Sequence, residues 1–217
     1  MSALDTSLAQ VVRPAAAEPE GAIVLLHGRG SDEHDLLPFL DLLDPRRRRV
    51  GVTLGGPLAL PPGGRHWYAL GGIGTPEPGT FRSSFALLAD ALDGLPDAFG
   101  VELSKTILGG FSQGSVMAYA LGLGSGRPSP AGIVAMSGFL PSVEGWSLDL
   151  VARRGLPVWI THGRRDGVIG VEWGRAARDA LEPAGLDVTY LETDAAHHAD
   201  PRALAELPVW VDRVLPA

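Results

Sequence analysis

Five stretches of this 217-residue chain are apolar almost without interruption: residues 22–27 (AIVLLH), 50–54, 106–109, 132–136 and 157–161. A strand with one wet face alternates between apolar and polar positions, so unbroken runs predict strands buried on both faces. Residues 187–191 (DVTYL) can form another strand. Between the runs lie segments whose apolar residues recur every three or four positions, at 33–43, at Phe85, Leu88, Leu92 and Leu95, and at 116–123, 171–181 and 201–214. That spacing predicts helices. Strands alternating with helices predict an α/β fold, a mostly parallel central sheet with helices on both faces, in one domain over residues 1–217. Residues 55–79 break the rhythm with eight glycines and five prolines in 25 residues. No regular element is expected there, and the aromatics His66, Trp67 and Tyr68 favour a lid or pocket wall over a linker.

Composition fits a globular chain, with 45% hydrophobic and 20% charged residues. The formal net charge is −7, and Lys105 is the only lysine. No long region has a basic excess, which argues against nucleic acid as a partner. The run Arg46-Arg47-Arg48-Arg49 follows Asp44-Pro45 and reads as a solvated loop entering a strand, without a function. The absence of cysteine excludes disulfides, thiolate metal sites and a cysteine nucleophile. Residues 106–126 carry no charge over a length that could cross a membrane, yet Ser112, Gln113 and many glycines lie within them. Buried strand, turn and helix are expected, with no stable membrane insertion. The N-terminal MSALDTSLAQVVRP lacks the basic start and apolar core of a secretory signal, so a cytoplasmic location is expected.

The chemistry begins at GGFSQG, residues 109–114, between a predicted strand and a predicted helix. Strand–turn–helix is the setting of a nucleophile elbow, where Gly-x-Ser-x-Gly holds a serine on a strained turn and the glycines leave room for the crossing backbones. A serine hydroxyl is a poor nucleophile without a base, normally a histidine oriented by a carboxylate. Both types follow: Asp166 beyond the strand at 157–161, and His197 and His198 beyond the strand at 187–191. The order Ser, Asp, His is that of α/β-hydrolases. The residues alone leave two histidines and three acids, Asp166, Asp194 and Asp200, in contention. Asp200 stands before Pro201 and reads as a helix cap. A metal site on His197, His198 and Asp200 would need a fuller convergent ligand set, so neither metal nor cofactor is expected. His27 and His162, each preceding a glycine at a strand end, read as structural, His34 as a helix-surface residue and His66 as a pocket-rim residue.

Four stretches, LLHGRGSDEHDLLPF, GGFSQGSVMAYAL, THGRRDGVI and AHHADPRALAELPVWV, together resemble the phospholipase/carboxylesterase family of small serine hydrolases, to which acyl-protein thioesterases also belong. The resemblance runs from about residue 22 to residue 214. It implies an α/β-hydrolase fold without a separate cap domain. It also implies cleavage of carboxylic esters, thioesters or lysophospholipids through an acyl-enzyme, with a small-molecule acyl ester as partner and a homodimer left open. In the family a proline lies four positions after the base and a tryptophan thirteen after it, and these offsets from His197 reach Pro201 and Trp210. The resemblance therefore implies Ser112, Asp166 and His197 as the triad. His27-Gly28-Arg29-Gly30 matches the family's HGxG turn and implies the Arg29 N–H as one oxyanion donor, the Gln113 N–H being the other. Trp67, Tyr68, Leu70 and Ile73, with Val168 and Ile169, are candidates for the walls of a small hydrophobic slot. Gly170 and the pair Ala195-Ala196 depart from the family's usual proline and glycine, which leaves the substrate open. A ligand-binding protein on the same fold, without turnover, is the alternative; covalent labelling of Ser112 by a fluorophosphonate separates the two.

Overall fold

A computed structural model describes residues 3–216. The first half of the chain forms β1 (Gln10–Arg13), β2 (Ala22–Leu26), α1 (Leu37–Leu43), β3 (Val50–Leu54), β4 (Leu58–Ala59), β5 (Arg65–His66), α2 (Pro78–Asp93) and α3 (Leu95–Phe99). The second half forms β6 (Thr106–Phe111), α4 (Gln113–Leu123), β7 (Gly132–Met136), β8 (Pro157–Gly163), α5 (Val171–Leu181), β9 (Asp187–Thr193), α6 (Pro201–Leu204) and α7 (Leu207–Val214). Seven strands make one sheet in the order β1-β3-β2-β6-β7-β8-β9. All neighbours are parallel except β1, which runs antiparallel to β3.

The unbroken apolar runs follow from helices on both faces. In β2, Ile23 and Leu25 belong to one core with Leu40 and Leu43 of α1 and Leu207 and Trp210 of α7. Val24 and Leu26 belong to the other, with Leu88 and Leu92 of α2 and Val116 and Tyr119 of α4. Each strand residue is thus buried whichever way it points. The chain leaves β2 toward the α1 face and β6 toward the α4 face, although these strands are neighbours. Where successive connections part to opposite faces, a crevice opens at the carboxyl ends of the strands.

Several expectations need correction. The segment at 55–79 is not devoid of regular structure: β4 and β5 form a small hairpin, and α2 begins at Pro78 behind Glu77, whose carboxylate accepts from the Gly79 and Thr80 N–H groups at 2.7 Å each. The helix expected from residue 33 begins at Leu37, because the Asp32 carboxylate draws the His34 N–H into a turn; exposed His34 therefore lies before the helix. The final helix is divided between α6 and α7, since Pro208 has no N–H to continue a helix from α6 and occupies a first turn instead. The edge strand β1 was not anticipated, since QVVR offers only two apolar residues and places a charge at a buried position.

The arginine run also departs from its solvated reading: Arg49 is 1% exposed. Asp44, equally buried, accepts from Arg13 Nη2 at 3.0 Å, the Arg49 N–H at 2.8 Å and the Arg48 N–H at 3.1 Å. Arg13 also donates to the Leu40 carbonyl at 2.9 Å, closing the carboxyl end of α1, while Arg49 reaches Asp212 and the Leu215 carbonyl beside α7. One carboxylate and two guanidinium groups therefore join β1, α1, β3 and α7. Asp44→Ala leaves two buried cations without that carboxylate and is expected to cost about 3–5 kcal/mol, read from the urea midpoint at constant m-value.

Candidate active site

Ser112 stands between β6 and α4 at φ 54° and ψ −119°, a backbone conformation costly for any residue with a Cβ. Its neighbours hold it there. The Ser112 N–H donates to the Met136 carbonyl at 2.9 Å, and its carbonyl accepts from the Val116 N–H at 3.2 Å. A Cβ on Gly114 would strike the Leu26 and His27 carbonyls, and one on Gly110 would strike the backbone of Gly114 and Ser115. Small residues at these two points let α4 cross the ends of β2 and β6 at close range.

Two further loops complete a hydrogen-bonded line. His197, beyond β9, places Nε2 3.0 Å from Ser112 Oγ and Nδ1 2.6 Å from Asp166 Oδ2. A carboxylate accepts, so Nδ1 carries the proton and Nε2 is left to accept from the serine hydroxyl. Asp166, 7% exposed, receives the Val168 and Ile169 N–H groups on Oδ1 at 2.9 Å each. His162 Nε2 donates to the Ile169 carbonyl at 2.8 Å, fixing the same loop from beneath. His198 takes no place in the line, and Asp200 accepts from the Arg202 N–H at the start of α6. The loops after β8 and β9 are tied together: the Arg164 N–H donates to the Thr193 carbonyl at 2.8 Å and the Arg165 N–H to the Ala195 carbonyl at 3.0 Å. Outside them, Glu192 accepts from Arg175 Nε at 2.7 Å, Arg164 Nε at 3.0 Å and the Tyr190 hydroxyl at 3.0 Å. Arg175 foremost, with Tyr190 and Arg164, holds the Glu192 carboxyl down at about 2.

The backbone N–H groups of Arg29 and Gln113 have no partner among the described residues, and both residues line the cleft that contains Ser112 and His197. The Ser112 N–H is occupied by Met136, so the free N–H next to the serine is that of Gln113. The first turn of α4 adds a positive dipole end at the same place. His27 sets the direction of the Arg29 N–H. The Gly56 N–H donates to His27 Nε2 at 2.9 Å, so the proton sits on Nδ1 and is given to the Gly28 carbonyl at 2.6 Å. Carbonyl and N–H point opposite ways across a trans peptide, so anchoring Gly28 O turns the Arg29 N–H away from the imidazole. Burial lowers the His27 pKa and keeps the ring neutral, as this arrangement needs. Strand β5 braces the turn, with the Gly30 N–H on the Arg65 carbonyl at 2.8 Å.

The cleft has a volume of about 390 Å³. Tyr68, Leu70, Ile73, Val168 and Ile169 line it, together with Phe139, which no sequence pattern marked. Trp67 is corrected: it is fully buried beneath the cleft, its Nε1 donating to the His27 carbonyl at 2.8 Å and its ring 5.2 Å from the His27 ring. An indole has one polar atom, and once that atom is bonded inward the rest of the ring gains by leaving water. His66 does not line the cleft; it bonds to the Tyr68 carbonyl. The Gln113 side chain was also missed. Its Oε1 accepts from the Trp67 N–H and its Nε2 donates to the Tyr68 carbonyl, both at 3.0 Å, tying the 55–79 segment to the elbow. Phe111, whose ring centroid lies 4.9 Å from that of His197, was visible inside GGFSQG but had no periodic pattern to mark its role.

A central, mostly parallel sheet with this serine turn on its middle strand defines an α/β-hydrolase. Residues 8–214 match the family model described as Phospholipase/Carboxylesterase, and the chain belongs to that family. It is similar to acyl-protein thioesterase 1 of Emericella nidulans, at 22% identity over 97% of both chains. Among solved structures it resembles the Bacillus cereus carboxylesterase, with a TM-score of 0.84 at 20% identity over 97% of this chain and 96% of that one. It also resembles esterase PE8, with a TM-score of 0.82 at 25% identity over 96% and 99%. No helix among the described residues is long and apolar enough to cross a membrane.

The Glu192 cluster generates a pH prediction. Its folded pKa lies below the usual 4.5, so its contribution to stability is fully present above pH 4.5 and disappears as pH falls through about 2. Glu192→Gln is expected to lower stability near neutrality by about 1 kcal/mol after solvent screening, and the difference from wild type should close below pH 3 in denaturation curves.

Proposed function

We propose that this hydrolase cleaves carboxylic esters through a covalent acyl-serine formed at Ser112, without a metal ion. The observation that carries the reading is the 2.6 Å and 3.0 Å line from Asp166 through His197 to a serine at positive φ. Ser112 Oγ attacks the ester carbonyl carbon while His197 Nε2 takes its proton, and the N–H groups of Arg29 and Gln113 receive the developing oxyanion. The imidazolium then protonates the departing alcohol as the C–O bond breaks. A water molecule, deprotonated by the same nitrogen, attacks the acyl-serine; the tetrahedral intermediate collapses, Ser112 regains its proton and the carboxylic acid leaves. Asp166 Oδ2 accepts from His197 Nδ1 throughout and holds the ring in its Nδ1–H tautomer.

A cleft of about 390 Å³, near the small end for ligand sites, suits a modest acyl chain between Leu70, Ile73 and Phe139. The thioester alternative comes from relatives named acyl-protein thioesterase, and the proposed oxyanion donors would serve a thioester carbonyl equally.

Hydrolysis of p-nitrophenyl esters from acetate to palmitate, in EDTA, tests the reading. Wild type is expected to turn over with a maximum at short or medium chains, and Ser112→Ala to lose about six orders of magnitude in kcat. Asp166→Asn should lose about four orders of magnitude while still folding. Equal activity of wild type and Ser112→Ala would overturn the mechanism. A fluorophosphonate that fails to label Ser112 would instead favour a ligand-binding protein.

The Gln113 side chain can be tested separately from its backbone. Gln113→Ala keeps the N–H but releases Trp67 and Tyr68, so KM should rise several-fold and the chain-length profile broaden, with a smaller change in kcat.

A further inference from the structure

Among the described residues lining the cleft, Arg29 is the one arginine, and no lysine, aspartate or glutamate stands beside it. Its side chain is exposed and makes no ion pair or hydrogen bond among the described residues. Most other arginines here are spoken for: Arg13, Arg47, Arg48, Arg49, Arg127, Arg164 and Arg175 all meet carboxylates, and Arg153 meets carbonyls. A second donor lines the same cleft. Tyr68 is 1% exposed and its hydroxyl bonds to nothing among the described residues, yet it is not sealed away as the Tyr119 hydroxyl is. Burial raises the Tyr68 pKa, so the phenol keeps its proton. An apolar cleft with one unpaired cation at its exposed rim and one buried, unpartnered phenol is arranged to receive an anionic oxygen acceptor, since hydrogen bonds to a charged partner are stronger than those between neutral groups.

Building on the esterase reading, we propose that the preferred substrates are esters bearing an anionic oxyacid group, a carboxylate or a phosphate, within an arginine side chain's reach of the scissile carbonyl. Arg29 then acts twice: its N–H meets the oxyanion, and its guanidinium meets the substrate's own charge. The second contact exists in ground state and transition state alike, so it acts on KM more than on kcat. With a net charge of −7 the protein repels anions at long range, and the selectivity is local to the cleft.

The test compares p-nitrophenyl butyrate with mono-p-nitrophenyl glutarate in wild type, Arg29→Gln and Tyr68→Phe. Arg29→Gln retains the backbone N–H, and the ratio of kcat/KM for the two esters cancels any general loss of activity. Wild type should favour the glutarate ester by about tenfold or more, chiefly through KM. Arg29→Gln should abolish most of that preference, and Tyr68→Phe a smaller part. Glutarate and glycerol 3-phosphate, as competitive inhibitors of butyrate hydrolysis, distinguish the carboxylate from the phosphate: the better inhibitor, weakened in Arg29→Gln, identifies the group. A ratio unchanged by Arg29→Gln, with butyrate still hydrolysed, overturns the anion site and leaves the esterase reading intact. Failure of wild type to hydrolyse either ester overturns both.

Discussion

Gly114 puts the first turn of α4 against the carbonyls that end β2, at a distance no side chain survives. That contact is the constraint on which the rest of the site depends. With the helix pressed so close to the sheet, the chain has one sharp turn in which to leave β6, and Ser112 must take a positive φ to make it. The strain is held by ordinary forces: two backbone hydrogen bonds at Ser112, glycine on either side, and an α4 buried along its whole length. The same closeness leaves the Gln113 N–H free at the helix start, beside the turn that carries Arg29. The strained Ser112 and the free N–H groups beside it therefore share one cause in a backbone crossing.

Around that crossing the molecule uses polar contacts to fix loops and apolar ones to fix layers. His27 shows the division. Its ring lies against Trp67 in the interior, while its two nitrogens hold Gly56 on one side and Gly28 on the other. Gln113 does the same from the elbow, with both amide atoms spent on the segment at 55–79. Glycine and proline make that segment irregular, but six hydrogen bonds, counting the two between Gly30 or Ser31 and Arg65 and those of Gly56 and the Trp67 indole to His27, bind it to the 27–31 turn and to Gln113 beside Ser112. It is better described as a wall of the site than as a lid.

The near-absence of lysine has a structural side. A guanidinium presents several donors in a plane, so one arginine can satisfy several carbonyls at once. Arg13 closes α1 in this way, and Arg153, 5% exposed, donates to the Gly122 and Gly124 carbonyls at the end of α4 and to the Arg127 carbonyl. An ammonium on a flexible stem would serve fewer of these acceptors. Arg29 at the cleft, by contrast, makes no such bond among the described residues.

What the sequence determined by itself was whatever depends on neighbours along the chain. Unbroken apolar runs marked strands buried on both faces, three- and four-residue spacing marked the helices that cover them, and GGFSQG between a strand and a helix marked the serine turn. Asp200 before Pro201 was legible as a cap for the same local reason. Only the tertiary structure decided matters set by residues far apart in the chain. Arg49 looked like one of four solvated charges because Asp44, Asp212 and the Leu215 carbonyl surround it only after β3, α1 and α7 have packed. Trp67 looked like a pocket wall because its acceptor, the His27 carbonyl, lies forty residues away. The meeting of Asp166 and His197 with Ser112 is of this kind too: motif resemblance named them, but their line exists because the parallel sheet brings the carboxyl ends of β6, β8 and β9 to one edge.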